Sequence, residues 1–143
     1  MNELRQNILD ELIDCARAAR ERAYAPYSRY SVGAALLTST GKIFRGCNIE
    51  NVSLGLTICA EQGAMAAAVA EDQRVFEAVA VCAESNTGVL PCGRCRQTLA
   101  EFGHELTVIS CTPDGSFTVH KLSELLPGAN LGIEDLKDVG TPR

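Results

Sequence analysis

Three cysteines and one glutamate constrain this chain more than any other feature: Cys59-Ala60-Glu61 in one stretch and Pro91-Cys92-Gly93-Arg94-Cys95 in another. Cys92 and Cys95 have the spacing that lets two sulfurs grip one ion from the first turn of a helix, and Cys59 would arrive from a separate helix start. A thiol-rich structural zinc usually closes its tetrahedron with four side chains, whereas a catalytic zinc keeps one position for water. The pattern supplies three ligands, and Glu61 adds a carboxylate able to take protons from such a water and return them. Two helix N-termini aimed at one ion would offset the charge of three thiolates and so preserve the acidity of the metal. Two other readings use the same thiols. A structural zinc that adds Cys47 leaves Glu61 unexplained, and a redox role for Cys92 and Cys95 leaves both Cys59 and Glu61 unexplained.

At 143 residues the chain has a single-domain length, enough to bury about two thirds of its unfolded surface without staples, and residues 1–143 are read as one domain. The cysteine count of seven is odd and the chain is not of mini-protein size. A reducing compartment is therefore expected rather than a disulfide framework. The start, Met1-Asn2-Glu3-Leu4-Arg5, lacks a basic segment followed by a secretory apolar core, and residues 63–70 form the longest conspicuous apolar run. The expectation is a cytoplasmic protein with no membrane span. A formal net charge of -5, without a Lys/Arg stripe, argues against a nucleic acid polymer as partner.

Apolar residues at Leu4, Ile8, Leu12, Ala16, Ala19 and Ala23 recur at helical spacing opposite Glu3, Asp10, Asp14 and Arg17, which predicts an amphipathic helix over residues 4–23, stopped before Pro26. Residues 30–38 and 42–47 read as a hairpin around Ser39-Thr40-Gly41. Thr57 is the expected cap of a helix over residues 59–71. That helix is small and apolar nearly all round, which fits either cover from a neighbouring subunit, the expectation here, or the central helix of a monomer. A strand over 76–83, a helix over 92–102 and a strand over 106–111 predict a parallel pair with a crossover; an edge strand over 117–121 and a short helix over 122–126 follow. The order defines a mixed α/β sandwich. Cys15, Cys82 and Cys111 are read as packing residues, His104 and His120 as surface or edge residues. Leu131, Ile133 and Leu136, in a tail from about residue 128, are expected to dock on a neighbouring subunit.

The Cys-x-Glu and Pro-Cys-x-x-Cys pattern resembles that of the zinc deaminases. Tyr24-Ala25-Pro26-Tyr27-Ser28, Val32-Gly33-Ala34-Ala35-Leu36, Gly46-Cys47-Asn48-Ile49-Glu50-Asn51 and Cys92-Gly93-Arg94-Cys95-Arg96-Gln97 extend the likeness to the small, three-cysteine, homotetrameric cytidine deaminases. The resemblance implies a three-layer α/β/α sandwich around a mixed five-stranded sheet. It also implies one zinc per subunit on Cys59, Cys92 and Cys95, with Glu61 as proton carrier. The implied reaction is hydrolytic deamination of cytidine and 2'-deoxycytidine to uridine and 2'-deoxyuridine. Ala60 backbone groups are implied to touch the base, Asn48 and Glu50 the ribose, and Tyr30 to stand where the family commonly has Phe against the sugar. Asn48 and Glu50 also read simply as a turn residue and a solvated charge at a strand end. A small nucleoside substrate suits the net charge better than a polymer.

Three positions depart from that family pattern. Gln62 stands where relatives usually carry Arg, so Arg94, Arg96 or the helix dipoles must compensate more of the thiolate charge, and a less acidic bound water is expected. Leu54 and Asn130 each replace an aromatic ring, which suggests a wider pocket mouth and tolerance of N4-substituted cytidines. A blasticidin-type aminonucleoside deaminase, or a noncatalytic structural zinc module, are the alternatives.

Overall fold

The computed structural model of the protein describes residues 5–128. Its five strands are β1 (Val32–Thr38), β2 (Ile43–Cys47), β3 (Phe76–Ala83), β4 (Thr107–Cys111) and β5 (Phe117–Lys121), joined in one sheet of order β2-β1-β3-β4-β5. β3 and β4 run parallel, and the other neighbouring pairs are antiparallel. The helices are α1 (Gln6–Arg20), α2 (Ala60–Ala70), α3 (Gly93–Ala100) and α4 (Leu122–Leu125), with a 3-10 turn at Leu54–Leu56.

The layers follow from the two-residue period of a strand. Ala34 and Leu36 of β1 pack with Ala60, Ala64 and Ala68 of α2, Leu99 of α3 and Leu122 of α4. Ala35 and Leu37, pointing the other way, pack with Leu12, Ile13 and Ala16 of α1. The sheet is thus covered on both faces, and the mixed α/β sandwich of three layers expected from the sequence is the architecture observed. β4 is buried at every position and β3 at all but Glu77, as expected of strands sandwiched between helices. The edge strand β5 is more open. Cys82 and Cys111 lie opposite each other in the β3–β4 register within the core under α1, where they pack as read.

Two glycines let helices approach the sheet closely. A Cβ on Gly33 would fall 2.1 Å from the Ala16 carbonyl oxygen of α1, and one on Gly46 would fall 2.2 Å from the Ala60 carbonyl oxygen of α2. α2 can therefore lie directly on β2, and its first turn is fixed in height above the sheet.

Several boundaries differ from the sequence expectation for identifiable reasons. α1 ends at Arg20 rather than Ala23, and Tyr24 then gives its amide to the Asn48 carbonyl (2.9 Å) and forms a parallel bridge with Ile49. β1 begins at Val32 rather than at residue 30, because the Asn48 side chain takes the place of a strand partner there: it donates to the Tyr30 carbonyl (2.8 Å) and accepts from the Val32 amide (2.9 Å). Thr57 does not cap α2. The cap is Cys59, whose amide donates to Gln62 Oε1 (3.1 Å), while Thr57 closes the 3-10 turn. The expected start of the first helix at Leu4, Asn130 and the tail with Leu131, Ile133 and Leu136 lie outside the described residues.

Candidate metal centre and active site

α2 and α3 begin in the same way. Cys59 caps α2 and Cys92 caps α3 with extended backbone, and each cap carbonyl accepts the first helical bond, from Gly63 (3.1 Å) and Arg96 (2.9 Å). Cys95 lies one turn into α3, fully buried. This arrangement brings the sulfurs of Cys59, Cys92 and Cys95 within 4.8 Å of one another. A tetrahedral zinc with Zn–S bonds of about 2.3 Å holds its sulfurs roughly 3.8 Å apart, so small adjustments close this triangle on one ion. Cys47 is not part of the cluster; it lines a separate cavity with Ala18, Ala19 and Arg22. The four-cysteine structural site therefore lacks its fourth ligand.

Burial pushes the thiols of Cys59 and Cys95 above the ordinary cysteine range, and the Glu61 carboxylate reinforces the effect at Cys95. Burial acts on Cys92 in the same direction, but hydrogen bonds from the Cys95 amide and from the Cys95 and Cys59 thiols outweigh it and bring Cys92 down. Metal uptake must then displace protons from at least the two raised thiols. Apparent zinc affinity is expected to climb as pH rises through the neutral range, measured by competition with a chromophoric chelator. A pH-independent affinity would contradict thiol ligation by Cys59 and Cys95.

Glu61 follows Cys59 on the first turn of α2 and is only 5% exposed. Burial raises its carboxyl pKa, partly offset by its own backbone amide and by the Cys95 thiol, both of which donate to the carboxylate. A carboxyl whose protonated form is favoured by burial suits a group that both accepts and delivers protons.

Glu61 opens into a cavity of about 220 Å³ whose lining includes Tyr30, Asn48, Cys59, Ala60 and Cys92. Its apolar wall is Val32, Val81, Val89 and Leu90. Their role at a cavity is not legible in the sequence: Val32 and Val81 fall in the expected strands over 30–38 and 76–83, whereas Val89 and Leu90 fall in no expected element, and the only local signal is that they run directly into Pro91. Glu50 and Leu54 are not among the lining residues. Glu50 Oε1 accepts from the amides of Tyr27 (2.9 Å) and Ser28 (3.1 Å), which ties down the loop leading to Tyr30. The Ser28 hydroxyl and these amides hold the Glu50 carboxyl below the usual range. Leu54 sits 69% exposed on the 3-10 turn.

Asn48 is buried, and its amide is engaged at both ends with backbone. Asn48→Ala is expected to lower stability by about 2 kcal/mol, since it orphans the Val32 amide and the Tyr30 carbonyl together. Urea denaturation with an unchanged slope but a lower midpoint would be the observed form of that loss, whereas an unchanged midpoint would contradict it.

Gln62 and Arg94 meet over the sulfurs. The Arg94 guanidinium donates through Nη2 to Cys59 Sγ (3.6 Å), to Gln62 Oε1 (3.1 Å) and to the Thr57 carbonyl. Arg96 turns away, donating to the Pro91 carbonyl (2.8 Å) and the Leu125 carbonyl (2.8 Å). Of the two arginines weighed from the sequence as charge compensators, Arg94 is the one in contact with a thiol.

Fold and site together define a small α/β protein with a three-thiol metal centre and a buried carboxylate at paired helix starts. Comparison with known proteins agrees. The family described as "Cytidine and deoxycytidylate deaminase zinc-binding region" matches residues 6–111. A cytidine deaminase of Halalkalibacterium halodurans is 46% identical over 135 residues, covering 94% of this chain and 98% of that protein. The crystal structure of cytidine deaminase from Burkholderia pseudomallei superposes with a TM-score of 0.81 at 44% identity, covering 87% of this chain and 98% of that one. That from Mycobacterium tuberculosis gives 0.76 at 39% identity, over 90% and 98%. The chain belongs to the cytidine and deoxycytidylate deaminase family, and its centre is a zinc-binding one.

Proposed function

We propose that the protein hydrolyses cytidine and 2'-deoxycytidine to uridine and 2'-deoxyuridine with release of ammonia, as a single-domain enzyme of pyrimidine salvage. The observation that carries this reading is the buried Glu61 carboxyl, facing a cavity beside three converging sulfurs. Cys59, Cys92 and Cys95 would hold zinc, which when bound supplies a water acidic enough to attack at neutral pH. Glu61 would carry that proton to N3 of the base, and would then take the remaining proton of the oxygen added at C4 and hand it to the amino group, which leaves as ammonia. Ala60 backbone groups and the apolar wall of Val32, Val81, Val89 and Leu90 orient the base and exclude bulk water. Tyr30 stands against the sugar. Asn48, with one further N–H and one further lone pair to offer, and Glu50, with its second oxygen, bind sugar hydroxyls.

A homotetramer is part of the same reading. The cavity of about 220 Å³ lies below the roughly 300–1,000 Å³ usual for a ligand site, which accords with a neighbour adding to it. Ala66, Ala67 and Ala70 of α2 are exposed, as are Val52, Leu54, Leu56 and Ile58 beside the site. No helix among the described residues is long and apolar enough to cross a membrane; a cytoplasmic location accords with that and with seven free thiols in the sequence.

The test is ultraviolet absorbance with cytidine, 2'-deoxycytidine and N4-acetylcytidine in parallel cuvettes. Conversion of the first two to uracil nucleosides is expected, and turnover of the third would extend the substrate range to N4-substituted bases. Zinc-replete protein that converts none of them would overturn the assignment.

A further inference from the structure

A cation in the first turn of a helix opposes the helix dipole, which favours anions there. Arg94 occupies that position in α3, immediately after Cys92 and Gly93, and reaches across to the start of α2. Something negative must make this placement favourable, and Cys59 Sγ lies 3.6 Å from Nη2. The same nitrogen donates to Gln62 Oε1, which itself accepts from the Cys59 amide, and to the Thr57 carbonyl two residues before Cys59. Both the sulfur and the backbone that carries it are thereby tied to α3.

We infer that Arg94 is a positioning residue that latches the start of α2 to α3 and holds Cys59 in register with Cys92 and Cys95, with Gln62 as its required uncharged acceptor. The inference rests on the zinc reading above. A thiolate on Cys59 accepts a stronger bond from a guanidinium than a thiol does, so the latch tightens on the metal-loaded state. Gln62 is suited to this partner because its Oε1 is an acceptor. An arginine at that position would set a second guanidinium against Arg94 and offer it no acceptor. Positions 62 and 94 therefore accommodate one arginine between them, and exchanging the two residues should conserve the function that changing either alone removes.

The experiment compares wild type, Arg94→Gln, Arg94→Lys, Gln62→Arg and the exchanged Gln62→Arg/Arg94→Gln protein. Each is measured for zinc release to a chromophoric chelator and, after cobalt substitution, for the thiolate-to-metal charge-transfer band. Circular dichroism confirms the fold of each. Arg94→Gln is expected to release zinc on the order of 10–100-fold faster, the usual penalty for losing a group that orients a ligand, with a shifted cobalt band. Arg94→Lys, which keeps the charge but not the planar fork, should fall close to it. Gln62→Arg should also release zinc faster, and the exchanged protein should regain most of the wild-type retention. Wild-type release rates in Arg94→Gln and Arg94→Lys would overturn the inference, as would an exchanged protein no better than the worse single variant. A wild-type protein that binds no zinc at all would instead overturn the zinc reading.

Discussion

Glu61→Gln is expected to lower kcat by about 10²–10⁴-fold, the range that a positioned acid–base group contributes, while zinc content stays at the wild-type level. The change is nearly isosteric, replaces one carboxylate oxygen by an amide nitrogen, and leaves all three ligand cysteines in place. Its effect on stability should have the opposite sign. Burial raises the folded-state pKa of Glu61. Its contribution is therefore fully present below the ordinary glutamate pKa and is lost as pH rises through the raised folded-state value. Metal-free Glu61→Gln protein lacks that loss. Its melting temperature should match wild type in acid and exceed it at neutral pH. A variant that keeps wild-type kcat, or one whose metal-free form melts lower than wild type at neutral pH, would contradict the role given to this carboxyl.

The second large effect is expected at a residue with no side chain. In Gly46→Ala the new Cβ would stand 2.2 Å from the Ala60 carbonyl oxygen and 2.4 Å from the Ala64 amide nitrogen. Both are backbone atoms of α2, so no rotamer change relieves the clash. The helix must lift off β2, at a cost of about 3 kcal/mol, which corresponds to a melting temperature lower by roughly 10 °C. Because Cys59 and Glu61 ride on the first turn of α2 while Cys92 and Cys95 ride on α3, the lift should also reduce zinc retention. Gly63→Ala is the control. Its Cβ would meet Gly46 Cα at 3.5 Å, an ordinary contact, and alanine favours the helix by roughly 0.5–1 kcal/mol. Scanning calorimetry on the two variants separates the cases, and equal stabilities would refute the close-packing explanation.

The elements of this fold were legible because each carries its own period. The stripe from Ile8 to Ala19, the β-branched and aromatic stretches on either side of Ser39-Thr40-Gly41, and the apolar run from Ala78 to Ala83 each carry one pattern within a short stretch of chain. The three thiols and Glu61 were legible because metal chemistry fixes residue type and spacing together. Contacts between stretches distant in sequence were not. Nothing near Asn48 announces that its side chain substitutes for a strand partner at Tyr30 and Val32. Thr57 has the right chemistry for a helix cap, yet the cap is Cys59, whose amide Gln62 satisfies, while Thr57 closes the 3-10 turn before it. Arg94 and Arg96 were equal candidates for charge compensation. Only the packing of α4, which gives Arg96 the Leu125 carbonyl, and the approach of α2, which gives Arg94 the Cys59 sulfur, distinguish them. The cavity wall of Val81 and Val89 was hidden for the same reason, since a residue lining a pocket and a residue lining a core look alike in sequence.

The most direct measurement is the initial rate on cytidine as zinc is removed by chelation and then restored, with metal content determined at every point. One zinc per chain in the starting protein, a rate that falls in proportion to the zinc lost and its recovery on adding zinc back are the expected results. Full activity in protein stripped of metal, or a full complement of zinc with no turnover, would contradict a catalytic zinc on Cys59, Cys92 and Cys95.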